Sequence, residues 1–183
     1  MKINKAIVSL MIGSSLLGGI VVTNNINTPN VEAKSTKDSK IITNKDTNGR
    51  KAKITIDPSK VAVFKSEGNK DTILVKVNVK NMTKKQIPAD PDLYVKATQT
   101  KDGAMSTLDA TSPYASELPD DWKPLAENKD KDLEKGASID TVLAFNLEND
   151  KPVVFKADNS GNGKFTIKDI NKLAVVKPVD NEE

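Results

Sequence analysis

Thr72-Ile73-Leu74-Val75-Lys76-Val77-Asn78-Val79-Lys80 decides the fold. Ile73, Val75, Val77 and Val79 take every second position, with Lys76, Asn78 and Lys80 between them. Period two with β-branched residues on one side describes an antiparallel strand buried on one face. The rhythm returns on both sides. Upstream, Lys53-Ile54-Thr55-Ile56-Asp57 alternates until Pro58 interrupts it, and Val61-Ala62-Val63-Phe64 forms a short strand ended by Glu67-Gly68-Asn69. Downstream, Leu93-Tyr94-Val95-Lys96-Ala97 follows the breakers Pro88 and Pro91. Ile139, Thr141, Leu143, Phe145 and Leu147 line one side of a long strand, with Val142 and Ala144 on the other. Lys151-Pro152 turns into Val153-Val154-Phe155, and Phe165-Thr166-Ile167 is the last candidate. No stretch holds a sustained helical stripe. Six to eight short strands between Gly, Pro, Asn and Asp clusters predict an all-β sandwich over residues 51–176.

The ends read differently. A short basic start, Met1-Lys2-Ile3-Asn4-Lys5, precedes an apolar run from Ala6 to Val22, and Val31-Glu32-Ala33 closes a polar stretch. These are the three parts of a secretory signal, so cleavage after Ala33 is expected; the alternative is an N-terminal membrane anchor. Residues 34–50 are mostly Lys, Ser, Thr, Asn and Asp and read as a disordered leader, with 177–183 a flexible tail. No cysteine sits beside the cleavage point to take a lipid. The expectation is a monomer that is secreted or wall-associated, with no membrane contact once the signal is removed.

Composition excludes much. The chain has 183 residues with no cysteine and no histidine. That removes thiol nucleophiles, Ser-His-Asp triads, imidazole bases and ordinary zinc sites. Its 28 Lys+Arg nearly balance 25 Asp+Glu, and a net charge of +3 gives no one-sided field for nucleic acid. Without disulfides, the hydrophobic core must hold the fold unaided. Disulfide-free export fits a Gram-positive bacterium.

Several pieces carry a family resemblance. Val75-Lys76-Val77-Asn78-Val79-Lys80-Asn81-Met82-Thr83-Lys84-Lys85 runs from a strand into a polar turn, and Thr98-Gln99-Thr100-Lys101-Asp102-Gly103 follows. Then come Leu133-Glu134-Lys135-Gly136-Ala137-Ser138-Ile139, Ala144-Phe145-Asn146-Leu147 and Lys151-Pro152-Val153-Val154-Phe155-Lys156-Ala157. Together they resemble a family of uncharacterised extracellular immunoglobulin-like domains of Gram-positive bacteria. The family's turn usually carries Pro-Gly where this chain has Lys135-Gly136. The resemblance implies an immunoglobulin-like sandwich and an exported life, and implies no activity.

One motif suggests a metal. Residues 158–169 resemble the twelve-residue calcium loop of EF-hand and dockerin modules. Asp158, Ser160 and Asn162 would be ligands one, three and five, Lys164 would give its carbonyl at seven, and Asp169 would close the loop at twelve. Gly163 would make the sharp turn, Thr166 could act at position nine, and Ile170, Leu173 and Ala174 would suit an exiting helix. With two carboxylates and two adjacent lysines, any calcium binding would be weak, on the order of 10⁻⁴ to 10⁻³ M. The other reading is a β-hairpin, since Asn162-Gly163 precedes an alternating segment.

The segment 109–136 breaks the strand rhythm and holds Pro113, Tyr114, Pro119, Trp122 and Pro124. Tyr114 and Trp122, in a chain with only two Tyr and one Trp, are candidate contact residues; alternatively they fold back to cap one end of the sandwich. Glu117, Asp120 and Asp121 beside Trp122 could suggest a sugar site. The expected function is a non-catalytic binding module whose partner is an extracellular protein or a cell-wall polymer. A calcium-stabilised structural module is the alternative.

Overall fold

The computed structural model describes residues 40–65, 70–158 and 161–179. The expected signal segment 1–33, the first part of the leader and the last residues of the tail lie outside the described residues. Among these residues, eleven strands and one short helix follow in order: β1 (Ile41–Lys45), β2 (Lys51–Phe64), β3 (Thr72–Asn81), β4 (Ile87–Pro88), β5 (Val95–Lys101), β6 (Ala104–Thr107), α1 (Lys123–Glu127), β7 (Asp132–Leu133), β8 (Ser138–Asn146), β9 (Val153–Ala157), β10 (Lys164–Ile167) and β11 (Ala174–Val176).

The alternating residues build two facing sheets. The first runs β1-β2-β3-β8, with β11 parallel to the end of β2; the second runs β10-β9-β5-β6. Ile54, Val75, Val77, Val79, Leu143 and Phe145 point inward from the first sheet to meet Val95, Ala97, Val153, Phe155, Phe165 and Ile167 from the second. The Phe155 ring sits 6.0 Å edge-on from Phe145 across the gap and 6.3 Å from Phe165 beside it. This is an all-β sandwich, as the alternation predicts.

Both sides of the sandwich are stitched shut. On one side Thr43 and Asn162 exchange backbone hydrogen bonds at 2.8 and 2.9 Å, joining β1 to the lead-in of β10. The approach requires glycine. A Cβ on Gly161 or Gly163 would overlap the β1 backbone, and Gly163 has φ +108°, where L side chains are strained. On the other side, residues after β6 cross to the free edge of β8, where Asn146 donates to the Asp109 carbonyl and Thr111 to that of Ala144, each at 3.0 Å.

Three expectations need correcting. Residues 40–50 are not a disordered leader: β1 pairs with β2 from Ile41↔Thr55 to Lys45↔Lys51, and Ile42 is fully buried. One buried isoleucine and a tight turn suffice here. The turn is built on Asp46, whose Oδ1 accepts the Asn48 and Arg50 amides at 2.9 and 2.8 Å while Oδ2 meets the Arg50 guanidinium at 2.5 Å. Pro58 does not split two strands; β2 runs through it with a register shift between Ile56 and Val61. No helix leaves the 158–169 segment, because Ile170–Lys172 is one 3₁₀ turn before β11.

The long segment is neither open loop nor disorder. Leu74, Ala62, Phe64, Val142 and Ala144 point away from the main core, on the outer face of the first sheet, and Leu118, Trp122 and Leu125 cover them. The segment also runs along the edge of β8: the Thr141 hydroxyl donates to the Leu125 carbonyl at 3.1 Å, and the Asn128 amide to that of Asp140 at 2.8 Å. Lys60, from the irregular part of β2, holds the far rim, with its ammonium 5.1 Å over the Trp122 ring and 2.8 Å from the Asp121 carbonyl. Trp122→Ala is therefore expected to destabilise the protein by about 3–5 kcal/mol, and Trp122→Phe by clearly less, in denaturant titrations. A loss below about 1 kcal/mol for the alanine variant would show that the covering layer does not hold the sheet.

Candidate functional site

The polypeptide that leaves the β8 edge at Thr111 carries Ser112, Pro113 and Tyr114 across one end of the sheet. Each side of this bend is anchored. Ser112 Oγ lies 3.1 Å from the Lys129 ammonium, which is itself 2.6 Å from Asp92 Oδ2 and 3.5 Å from Asp90 Oδ1. After Tyr114 the chain makes a 3₁₀ turn over Ala115–Glu117, and the Glu117 carbonyl accepts the Val179 amide at 3.1 Å. Trp122 then pins the segment to the sheet. On this fixed base the Tyr114 side chain is left 74% exposed.

Tyr114 rims a groove of about 340 Å³ whose lining includes Pro113, Thr72, Asn146, Lys70 and Glu117. Hydroxyl, amide and charged groups therefore face one aromatic ring. A neighbouring groove of about 410 Å³ lies on the other side of Lys70, reaching Leu147, Asp150, Asn171 and Val175. Most of its charges are paired, although among the described residues Asp150 meets only the Asn171 amide, at 3.4 Å. Glu148 takes Lys101 at 2.7 Å and Lys70 at 2.5 Å, and these two lysines hold its carboxyl down at about 2. Lys65 pairs with Asp71 at 3.3 Å.

The buried ion cluster behind Ser112 is electrostatically unusual. Burial pushes the Asp92 carboxyl up to about 6; the Lys129 charge opposes this and the nearby Asp90 carboxylate reinforces it. Its Oδ1 is buried without a hydrogen-bond partner, which adds to the cost of charging it. Asp92 lines neither groove, so its chemistry is directed at Lys129 and not at a ligand. Tyr94, fully buried between the sheets with an unpartnered hydroxyl, is pushed up to about 12 by burial.

The residues singled out from sequence separate here. Tyr114 is exposed, but Trp122 is 3% exposed and buried against the outer face of the sheet, so it is not a contact residue. An indole covers more apolar area than any other side chain in that segment, and the apolar outer face claims it. It covers a sheet face and not an end of the sandwich. Among the three acidic residues, Asp121 is paired with Lys60 at 2.9 Å, and only Glu117 lines the groove.

The 158–169 segment is folded as the hairpin. Lys164↔Lys156 through Ile167↔Val153 pair antiparallel, so Lys164 and Thr166 sit in a strand. Asp158 follows β9 and ion-pairs with Lys96; Asp169 lies past the opposite end of the hairpin, paired with Lys172 at 2.8 Å. The carboxylates that would open and close a calcium loop are thus held apart by the strands, and Asn162 gives its backbone to Thr43. Ser160 lies outside the described residues. Among the described residues no group of three or more acidic side chains is placed to hold a metal. The Lys129–Asp92–Asp90–Ser112 cluster left no trace in the sequence, because its members are spread from residue 90 to residue 129 and meet only in the fold.

These features define an all-β sandwich with a covering layer on one outer face and an aromatic-rimmed groove at its edge. Residues 29–159 match the family described as "Domain of unknown function (DUF5067)", and the chain belongs to that family. Among solved structures it is similar to a "putative lipoprotein" from Staphylococcus aureus subsp. aureus NCTC 8325, with a TM-score of 0.55 and 14% identity over 75% of this chain and 98% of that one. Another "putative lipoprotein", from Bacillus subtilis subsp. subtilis str. 168, gives a TM-score of 0.44 and 16% identity; the match covers 74% of this chain and 40% of that one. At 14% identity, the first likeness shows the fold. Among curated proteins no sequence matches.

Asp92 sets a pH dependence. Its folded value near 6 lies above the ordinary 3.8, so its stabilising contribution is complete below about pH 4 and is lost as pH rises through 6. Asp92→Asn should therefore gain on the wild type by about 2 kcal/mol between pH 4.5 and 7.5, whatever its absolute stability. Paired denaturant titrations at the two pH values check this. A difference that does not change with pH would place the Asp92 carboxyl in the ordinary range.

Proposed function

We propose that the protein is a non-catalytic binding module that acts outside the cell, at or beyond the cell surface, and meets its partner through Tyr114. The observation that carries this reading is a tyrosine left 74% exposed on a segment tied down on every side. Aromatic side chains presented on a rigid base lose little entropy on binding and dominate contact energetics. In the groove beside it the Thr72 hydroxyl is engaged with Asn146 Oδ1 at 3.2 Å, and half-buried Asn146 and Thr111 with exposed Ser112 give a polar lining that suits a partner bearing hydroxyls. Of the two partner types expected, an extracellular protein or a cell-wall polymer, the polymer fits this lining better.

Several observations support the non-catalytic and extracellular parts. The groove holds a single carboxylate, Glu117, whereas carboxylate-based sugar hydrolysis uses two. The chain has no cysteine or histidine. Its first 33 residues read as an export signal, and the Staphylococcus aureus neighbour is described as a lipoprotein. The resemblance to extracellular immunoglobulin-like domains points the same way. Lacking cysteine, this sequence offers no thiol for a lipid, which favours release or wall association over lipid anchoring.

Cosedimentation with purified wall glycan, stripped of its phosphate polymers, tests the reading. Tyr114→Ala should lower the bound fraction about tenfold while Tyr114→Phe stays within about threefold of wild type, as expected for loss of an aromatic contact. Equal binding of all three proteins, or none by the wild type, would refute it.

A further inference from the structure

The outer face of the first sheet is divided in two. One half is apolar and covered by the Trp122 layer; the other half is bare. Cross-strand register places the bare residues in rows. Lys45 stands opposite Lys51, and Lys53 stands opposite Lys80, with Thr43 and Ser138 extending the second row. Inward neighbours such as Ile42, Ala52, Ile54 and Val79 are fully buried, so these four lysines share the solvent side.

None of the four ammonium groups has an ion pair or side-chain hydrogen bond among the described residues. Other lysines on the sheets are paired, Lys76 with Asp140, Lys96 with Asp158, and Lys70 and Lys101 with Glu148, while Lys156 and Lys164 face each other on the opposite sheet without an ion pair among the described residues and provide an internal comparison. Asp140, in the neighbouring row opposite Asn78, is already engaged by Lys76 and by the Asn78 amide, each at 2.9 Å. Like charges directly across an antiparallel pair are destabilising. This sheet keeps two such pairs side by side on a rigid surface. Exposed Lys84 and Lys85 follow in the turn after β3.

We propose that this lysine face binds a phosphodiester polymer outside the cell, each phosphate replacing the counter-charge that the protein omits. Strands set the lysines about 5 Å apart across the sheet and about 7 Å apart along it, a grid that a flexible polyanion can follow. The face carries no aromatic ring on which nucleic-acid bases could stack. Among the described residues, the large apolar side chains exposed near it are Ile41 and Met82, too few for the core of a protein interface. The site is separate from the Tyr114 groove. Placing the polymer outside the cell rests on the export reading above; the charge complementarity does not.

The test uses the full chain and immobilised poly(glycerol phosphate). Four phosphate contacts predict that affinity falls roughly fifty-fold between 50 and 200 mM salt. The double variant Lys53→Glu with Lys80→Glu should bind at least tenfold more weakly at 50 mM salt, and the Gln pair should weaken binding less in the same direction. Lys156→Glu with Lys164→Glu makes the same charge change on the opposite sheet and should stay within about twofold of wild type. Lys53→Glu alone, facing Lys80, should unfold no earlier than wild type without polymer, which shows that lost binding is not lost folding. The proposal is overturned by absent binding at 50 mM salt, by equal loss from both double variants, or by binding to phosphatidylglycerol vesicles without binding to the immobilised polymer. Because the Tyr114 test uses glycan stripped of phosphate, either reading can fail alone.

Discussion

The burial of β3 and β8 on both faces is the constraint on which the rest depends. A sheet in a two-layer sandwich normally leaves one face to water, and its strands alternate accordingly. Here Leu74, Val142 and Ala144 place apolar groups on the outward positions over half the sheet, and an uncovered face of that kind is an association hazard. The chain meets it with its own segment, carrying Leu118, Trp122 and Leu125 over the top. Once that segment is committed, Tyr114 is fixed in place, and the division of the outer face into covered apolar and bare basic halves follows.

Closure of the sandwich adds to this. One side is joined by Thr43 and Asn162, the other by residues 109–111 along β8. These bridges occupy part of the β1 and β8 edges, which limits strand-to-strand association there. A scaffold without disulfides thereby gains rigidity from backbone bonding and from a core extended by a third layer. Rigidity matters for a binding module, because a partner need not order the loop that receives it.

The sheets were legible wherever one rule acted alone. Val75, Val77 and Val79 declare an inward face by period two, and the structure places them there. The outward Leu74, Val142 and Ala144 were visible too, but an apolar residue on the second face does not say what will cover it. For that reason Trp122 read as a possible contact residue while packing claimed it. The 158–169 segment failed differently. Asp, Asn, Ser and Gly at short spacing serve both calcium loops and tight turns, and Gly161 and Gly163 are required here by the close passage of β1, a long-range fact. Residues 41–45 hid because one inward isoleucine in a polar stretch is a weak signal, strengthened only by pairing with β2. The buried Lys129–Asp92 contact spans 37 residues, and local sequence cannot show it.

The central claim is that the covering segment folds as one unit with the sheet beneath it. Residue-resolved amide hydrogen exchange tests it most directly, because each amide reports the free energy of the opening that exposes it. The account predicts that the amides of Trp122, Leu125 and Ala126, bonded within the segment at 2.8, 3.0 and 3.1 Å, exchange with opening energies within about 1 kcal/mol of those of Leu74 and Val142. Exchange of the segment more than about a hundredfold faster, with the strands still protected, would make it a detachable flap and contradict the account.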